Sequence, residues 1–384
     1  MPQSVLAVDV GGTKFAVALV DHTGNVQEAR RVATPPGGDA AALWETLVGL
    51  VGSVLRAAGC DDRGSGAVTG VGVGCGGPMT WPEGEVSPLN MPGWRGFPLR
   101  ARLAARFPGV PVRVHNDAVC LAAAEHWYGA GRGSANMLGM VVSTGVGGGL
   151  ILGGRLIDGG SGNAGHIGHV VVDPDGPECR CGGRGCLEAI ARGPGLAAWA
   201  VEQGWVPGAA SRSGRPGRAG TGPAAPPYGE TTGGGAPPYG ETTGGGAPPY
   251  GETATAPDTG SGDAGEPGAG PGYVEETAAS GRRLALDAAA GDEIALAAMG
   301  RAGRALGVAI ASAVNLCDLD VVTVGGGLSQ AGPLLFDPLR AALREHTRMG
   351  FARRVRVVPA ALGQDAGLVG AAALILASDR YWSR

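Results

Sequence analysis

A short apolar strand that runs into a glycine-rich turn and returns at once as a second strand occurs twice in this chain. No other feature limits the possible folds as much. The first copy is residues 5–10, the turn Asp9-Val-Gly-Gly-Thr-Lys14 and an apolar return over 15–20. The second is residues 137–142, the turn Ser143-Thr-Gly-Val-Gly-Gly-Gly149 and a return over 150–152. Apolar runs this short, bounded by turn signals, read as buried strands. Two copies of one design imply an α/β chain of two similar domains with a cleft between them. The expected division is 1–115 for a small N-terminal domain and 116–384 for a larger C-terminal one.

The rest of the ordered chain fits that plan. Residues 26–33 make a third strand of the opening meander, and 40–58 carry Leu43, Leu47, Leu50, Val51, Val54 and Leu55 at helical spacing. Residues 71–74 and 110–114 read as further strands, the latter running into His115-Asn116-Asp117 and a helix over 118–128. Beyond these, helices are expected over 293–316, 333–345 and 365–377, with strands over 320–324 and 355–358.

Residues 206–272 are of another kind. Pro-Pro-Tyr-Gly-Glu-Thr appears three times, starting at Pro226, Pro237 and Pro248, in a stretch with few apolar residues and no regular period. Such a segment cannot bury enough surface to offset its ordering entropy, so a disordered insertion is expected. It reads as an inert spacer, or as a tether whose Tyr228, Tyr239 and Tyr250 meet a partner.

The chain has 384 residues and a net charge of −4. Nothing in that balance points to nucleic acid or to a basic membrane-binding surface. No continuous apolar run of bilayer length and no signal peptide is evident, so a soluble, membrane-free chain is expected. Seven cysteines, an odd and mostly scattered set, argue against a disulfide framework and for the reducing cytoplasm.

The first turn puts Asp9 at a strand end, then Gly11 and Gly12, whose backbone N–H groups a tight turn exposes, then Thr13 and Lys14. Of 30 basic residues Lys14 is the single lysine, and a compact ammonium suits a phosphate. Asp9 is placed to hold Mg²⁺ through water. Thr144-Gly145 offers similar donors from the second copy, and Gly325-Gly326 follows another strand. The P-loop spacing is absent, and the dinucleotide fingerprint fails because the first turn leads into a strand. The competing reading of a lone glycine turn is a plain β-hairpin; three such turns favour phosphate.

Asp117 follows a strand and opens a helix. Asn and Asp are good helix caps, and that role alone accounts for many such pairs. In a phosphoryl-transfer enzyme the same carboxylate accepts a proton from the attacking hydroxyl, with Asn116 holding a second hydroxyl. His169 with Cys179, Cys181 and Cys186 supplies three thiols and an imidazole, a closed structural zinc set. With no open position, zinc is kept out of the chemistry.

Together these motifs resemble the ROK family (repressors, open reading frames and sugar kinases) of the actin-like ATPase superfamily. They are Asp9-Val-Gly-Gly-Thr-Lys14, Asn116-Asp117, Ser143-Thr-Gly-Val-Gly-Gly-Gly149 and Gly162-Asn-Ala-Gly-His-Ile-Gly-His169. Cys179-x-Cys181-x4-Cys186-Leu-Glu188, Val324-Gly-Gly-Gly327 and Asp365-Ala-Gly-Leu-Val-Gly-Ala371 complete the set. The resemblance implies two actin-like, ribonuclease H-like domains and transfer of the γ-phosphoryl group of ATP to a hexose hydroxyl, commonly O6. It implies Asp117 as base, and Asn116, His169 and Glu188 as sugar-contacting positions; His166 stands where the family's sugar-binding Glu is usual, and reads either as a sugar contact or as a surface residue without one. Thr13, Thr144 and Gly326 match nucleotide or phosphate positions, and a homodimer or homotetramer is implied. His166 departs from the family's usual Gly-Glu-x-Gly-His, which leaves an N-acetylated or otherwise modified hexose open as the substrate. A kinase that draws on polyphosphate, and a non-catalytic sugar-binding or regulatory protein, stay open as well. The family's regulators carry a DNA-binding domain ahead of the first turn; with Asp9 so near the start, none is expected.

Overall fold

The computed structural model describes residues 3–61, 64, 66–209 and 279–381. Its strands form two five-stranded sheets with the same plan. The first has the order β3-β2-β1-β4-β5 and contains β1 (Ser4–Val10), β2 (Lys14–Asp21), β3 (Val26–Ala33), β4 (Val68–Cys75) and β5 (Val112–Asn116). The second has the order β10-β9-β6-β7-β8 and contains β6 (Met137–Val142), β7 (Val146–Leu152), β8 (Arg155–Leu156), β9 (Val321–Gly325) and β10 (Arg356–Pro359). In each, an antiparallel meander is extended on one side by two parallel strands. The duplicated strand–turn–strand signal thus corresponds to two copies of one sheet.

Among the described residues the α-helices are α1 (Ala40–Ala57), α2 (Leu99–Arg106), α3 (Asp117–Trp127), α4 (Leu187–Ala191), α5 (Gly193–Glu202), α6 (Gly281–Ala289), α7 (Glu293–Cys317), α8 (Pro333–His346), α9 (Ala366–Leu376) and α10 (Ser378–Tyr381). Asp39 caps α1 by accepting the Ala42 amide at 2.8 Å, and the helix lays its spaced Leu and Val residues on the first sheet. Asp292 caps α7 in the same manner, from Ala295 N at 2.9 Å, and Asp318 ends it in the left-handed region at φ 47°. The α7 and α8 backbones meet closely at Gly303 and Gly307, where a Cβ would stand 2.6 Å from Leu335 O and 2.5 Å from Leu339 O. By length and composition alone α1 and α7 could cross a membrane, but their apolar sides are packed within the two cores.

Two helices change sides. α3 follows β5 of the first sheet yet packs on β6 and β7 of the second. α9 follows β10 of the second sheet yet places Leu368, Ala371, Ala372 and Leu374 against Val5, Ala7, Ala16, Ala18 and Val20 of the first. The two helices meet each other, with a Cβ on Gly370 falling 1.8 Å from Cys120 O.

Two sequence-based expectations are revised. The run Gly147–Gly149 is strand, not turn: a Cβ there would lie 2.8 Å from the Ala118 Cβ at Gly147 and 2.7 Å from the Val119 Cα at Gly149. Those glycines seat α3, and the turn proper is residues 143–145. The insertion begins later than residue 206, because Trp205 Nε1 and the Gly208 amide both donate to Asp287 Oδ2, at 3.1 and 2.7 Å. The Tyr repeats, and the remainder of the expected insertion from 210 to 272, lie outside the described residues.

Candidate active site

The first turn is a hairpin between β1 and β2, held by the Gly11 amide on Lys14 O at 3.0 Å and by Thr34 Oγ1 on Gly11 O at 2.7 Å. Neither Gly11 nor Gly12 has a positive φ. Gly12 is required by a close approach: a Cβ would stand 2.2 Å from Nδ2 of Asn90, a residue of the long β4–α2 connection. Thr13 is exposed, and Lys14 Nζ donates to Gln364 at 3.3 Å. Arg31 of β3 meets Asp365 at 2.6 Å, so the β10–α9 connection is tied to the β1–β2–β3 meander twice.

Asn116 is the N-cap of α3 and Asp117 its first residue, one position earlier than the helical spacing indicates. The Ala118 amide donates to Asn116 Oδ1 at 3.0 Å and to Asp117 Oδ1 at 2.8 Å. The capping reading is therefore realised by Asn116, and it leaves the Asn116 amide nitrogen free for other work. That nitrogen would lie 2.9 Å from a Cβ on Gly77, with the His166 ring at 3.2 Å from the same point. His166 Nε2 is buried and has no hydrogen-bond partner.

Carboxylates link the two turns. Burial, then the Asp117 charge, pushes the Asp9 carboxyl up to about 7, while Lys14 and Arg31 pull it down. Burial is also the main cause that raises Asp117, with Glu188 adding to it and the Ala118 amide opposing. Glu188, in the first turn of α4, accepts the Val146 amide at 2.9 Å and would lie 2.8 Å from a Cβ on Gly145. The half-buried Gly145 therefore stands at Glu188, beside the exposed Thr144, and Gly327 reaches the same turn at Ser143. Gly326 needs its φ of 90° and its missing Cβ, which would fall 2.4 Å from Val142 O.

The ligand atoms of His169, Cys179, Cys181 and Cys186 all lie within 4.8 Å of one another. Cys179 Sγ is 3.7 Å from His169 Nδ1, and Cys181 Sγ is 3.8 Å from Cys186 Sγ. A tetrahedron with metal–sulfur bonds of about 2.3 Å has edges of about 3.8 Å, so the donor set fits zinc. Burial, followed by hydrogen bonds with Cys181 and Cys179, pushes the Cys186 thiol up to about 12, a penalty that a bound cation reverses.

Sequence reasoning missed Asn90, His115, Asp158 and Asn163. Asn163 clasps the backbone of Met79 from both sides, Met79 N to Oδ1 at 3.2 Å and Nδ2 to Met79 O at 2.8 Å. The turn-rich Pro88-Leu-Asn-Met-Pro-Gly-Trp94 was the only signal near Asn90; Asn163 and His115 stood inside quoted motifs but were given no role, and Asp158 shows no pattern by itself.

Two sheets of one topology, exchanging helices and facing acidic residues between two glycine turns, define an α/β protein of the actin-like ATPase class. The chain belongs to the ROK family, which matches it over residues 5–224 and 250–378. It is 30% identical to the glucokinase of Streptomyces coelicolor over 375 residues, 97% of this chain and 98% of the relative. It is 41% identical to the N-acetylmannosamine kinase of Citrobacter koseri over 213 residues, 55% of this chain and 68% of that one. The crystal structure of a ROK family glucokinase from Streptomyces griseus in complex with glucose and AMPPNP superposes with a TM-score of 0.70 at 28% identity, covering 97% and 98% of the two chains.

Proposed function

We propose that this chain is an ATP-dependent sugar kinase, transferring the γ-phosphoryl group to a hexose hydroxyl with Asp117 as the base. One observation carries the reading: Asp117 sits at the start of α3, among Asp9 and Glu188, with its carboxyl raised by burial. A raised carboxylate is a better proton acceptor at neutral pH than an exposed one. Its Oδ1 is engaged by the helix amide, so its second oxygen takes the hydroxyl proton as the bond to phosphorus forms.

The sugar stands by Asn116 Nδ2, His166, His169 and Glu188. Relatives that span nearly the whole chain include a glucokinase and a ROK family glucokinase crystallised with glucose and AMPPNP, which supports a sugar and a nucleotide as the substrates. Gly11, Gly12, Thr13 and Lys14 on one side, and Thr144, Gly145, Gly325 and Gly326 on the other, bind the nucleotide. Asp9 holds Mg²⁺, which when bound neutralises charge on the phosphates. The elevated Asp9 carboxyl fits that role, since a cation relieves its burial beside Asp117. His169 Nδ1 and the three thiols would hold zinc, which would fix the orientation of the histidine ring and leave its Nε2 for the sugar.

A second reading of the substrate, a 2-acetamido hexose in place of glucose, is favoured by His166. A neutral imidazole offers one donor and one acceptor, where a carboxylate offers acceptors only. Burial and the neighbouring His169 both lower the His166 pKa, which keeps it neutral. The higher local identity to an N-acetylmannosamine kinase points the same way.

The test is ADP release with MgATP and a panel including glucose, mannose and their 2-acetamido forms, repeated with polyphosphate in place of ATP and sugar phosphate as the product measured. Sugar-dependent turnover that Asp117→Ala lowers by about 10²-fold or more is expected. Release that ignores every sugar, or survives that substitution, removes the kinase reading. The preferred sugar in the panel decides between the two substrates.

A further inference from the structure

His115 is fully buried, yet it lies next to the two residues assigned to the sugar and its proton. Its Nδ1 accepts the Asn116 amide at 2.8 Å. The ring proton is therefore on Nε2, which donates to Asp158 Oδ1 at 2.9 Å. Asp158 follows β8 of the second sheet and stands on the connection that leads to His166 and His169. Its backbone oxygen also accepts the Ala164 amide at 3.0 Å, which folds that connection back on itself. Trp81, from the β4–α2 connection, packs on the His115 ring with centroids 5.4 Å apart, and its Cβ would stand 2.6 Å from a Cβ on Gly162.

We infer that His115 is a positioning residue which, through its hydrogen bond to Asp158, holds the turn bearing Asn116 and Asp117 in register with the sugar-facing stretch that carries His166 and His169. The pair joins the end of a first-sheet strand to a loop of the second sheet, beside the gap where both halves must meet the substrate. An imidazole suits the task because it accepts on one side and donates on the other, bridging a backbone amide and a carboxylate. A core histidine satisfied by chance would stabilise the fold without linking these two segments. The inference rests on the kinase reading for its catalytic consequence, but the mechanical coupling stands apart from it.

Two measurements on the full chain test it, with Asp158→Ala and with Asp158→Asn, whose amide oxygen still accepts from Nε2. In sugar kinetics, Asp158→Ala is expected to lower kcat/KM for the sugar on the order of 10²-fold, as small misplacements of reacting groups do. KM for ATP should change by less than about threefold, and Asp158→Asn should stay within about threefold of wild type throughout. In amide hydrogen exchange, Asp158→Ala should speed both 112–118 and 159–166, and leave 14–21 and 137–142 unchanged. Faster exchange confined to 159–166 overturns the inference. So do unaltered sugar kinetics in Asp158→Ala, or an Asp158→Asn variant as damaged as the alanine. If the wild-type protein turns over no sugar, the kinase reading has failed, and the exchange pattern alone decides whether the coupling exists.

Discussion

Asn116 shows how one side chain serves both structure and site. Its oxygen closes the helix end, its nitrogen stays beside Gly77 and His166, and the backbone turn between them delivers Asp117. Asp9 carries the opposite balance. An acid whose folded pKa lies above its unfolded value keeps its proton more firmly in the folded chain. For Asp9 that shift runs from 3.8 to about 7. Folding is then free of the cost of charging Asp9 below pH 3.8, and stability falls as pH climbs from there to about 7. In metal-free protein the Tm advantage of Asp9→Asn over wild type should therefore grow between pH 5 and pH 8, on the order of 4 °C. Added Mg²⁺ should shrink it at pH 8. A difference that stays flat across that range would show that Asp9 is not strained by its site. Asp9 and Asp117 were legible because their motifs are local. His115 and Asp158 were not, because their meaning arises from a contact between segments 43 residues apart.

At the scale of elements, the cysteine-rich turn ends where α4 begins: Cys186 is the N-cap of α4 and Glu188 its second residue. Whatever closes the turn also sets Glu188 on the Val146 amide. Metal analysis should find about one zinc per chain. Cys181→Ser should lose it, lower Tm, and reduce turnover by raising KM for the sugar more than KM for ATP. Zinc-free protein with full activity would remove this link. Elements were read from sequence where periodicity was strong, as in α1 and α7. The β4–α2 connection was not, because its order depends on long-range burial of Trp94, stacked 6.2 Å from Phe15 of β2. The glycines of β7 were misread as turn for a related reason. Glycine marks both a bend and a surface that must stay bare, and only the presence of α3 distinguishes them.

At the scale of the molecule, the repeat predicted two copies of one sheet, and the helix exchange is what that repeat could not show. The crossing of α3 and α9 leaves no room for a side chain at Gly370. Gly370→Val should cost about 3 kcal/mol or more in denaturant unfolding, by overpacking against the Cys120 backbone. Gly49→Ala, on the exposed side of α1 with nothing within 4 Å, should instead gain about 0.5–1 kcal/mol. Equal effects at the two positions would mean the crossing is loose.

The same exchange bears on how such a chain can be divided. Cut between its repeats, the chain would yield a first piece with α3 projecting and the small-residue face of β1 and β2 bare, and a second piece with α9 projecting and the glycine face of β6 and β7 bare. Each fragment would hold the plug for the other's socket. The two repeats are therefore partners that complete one another, not modules that can be traded singly.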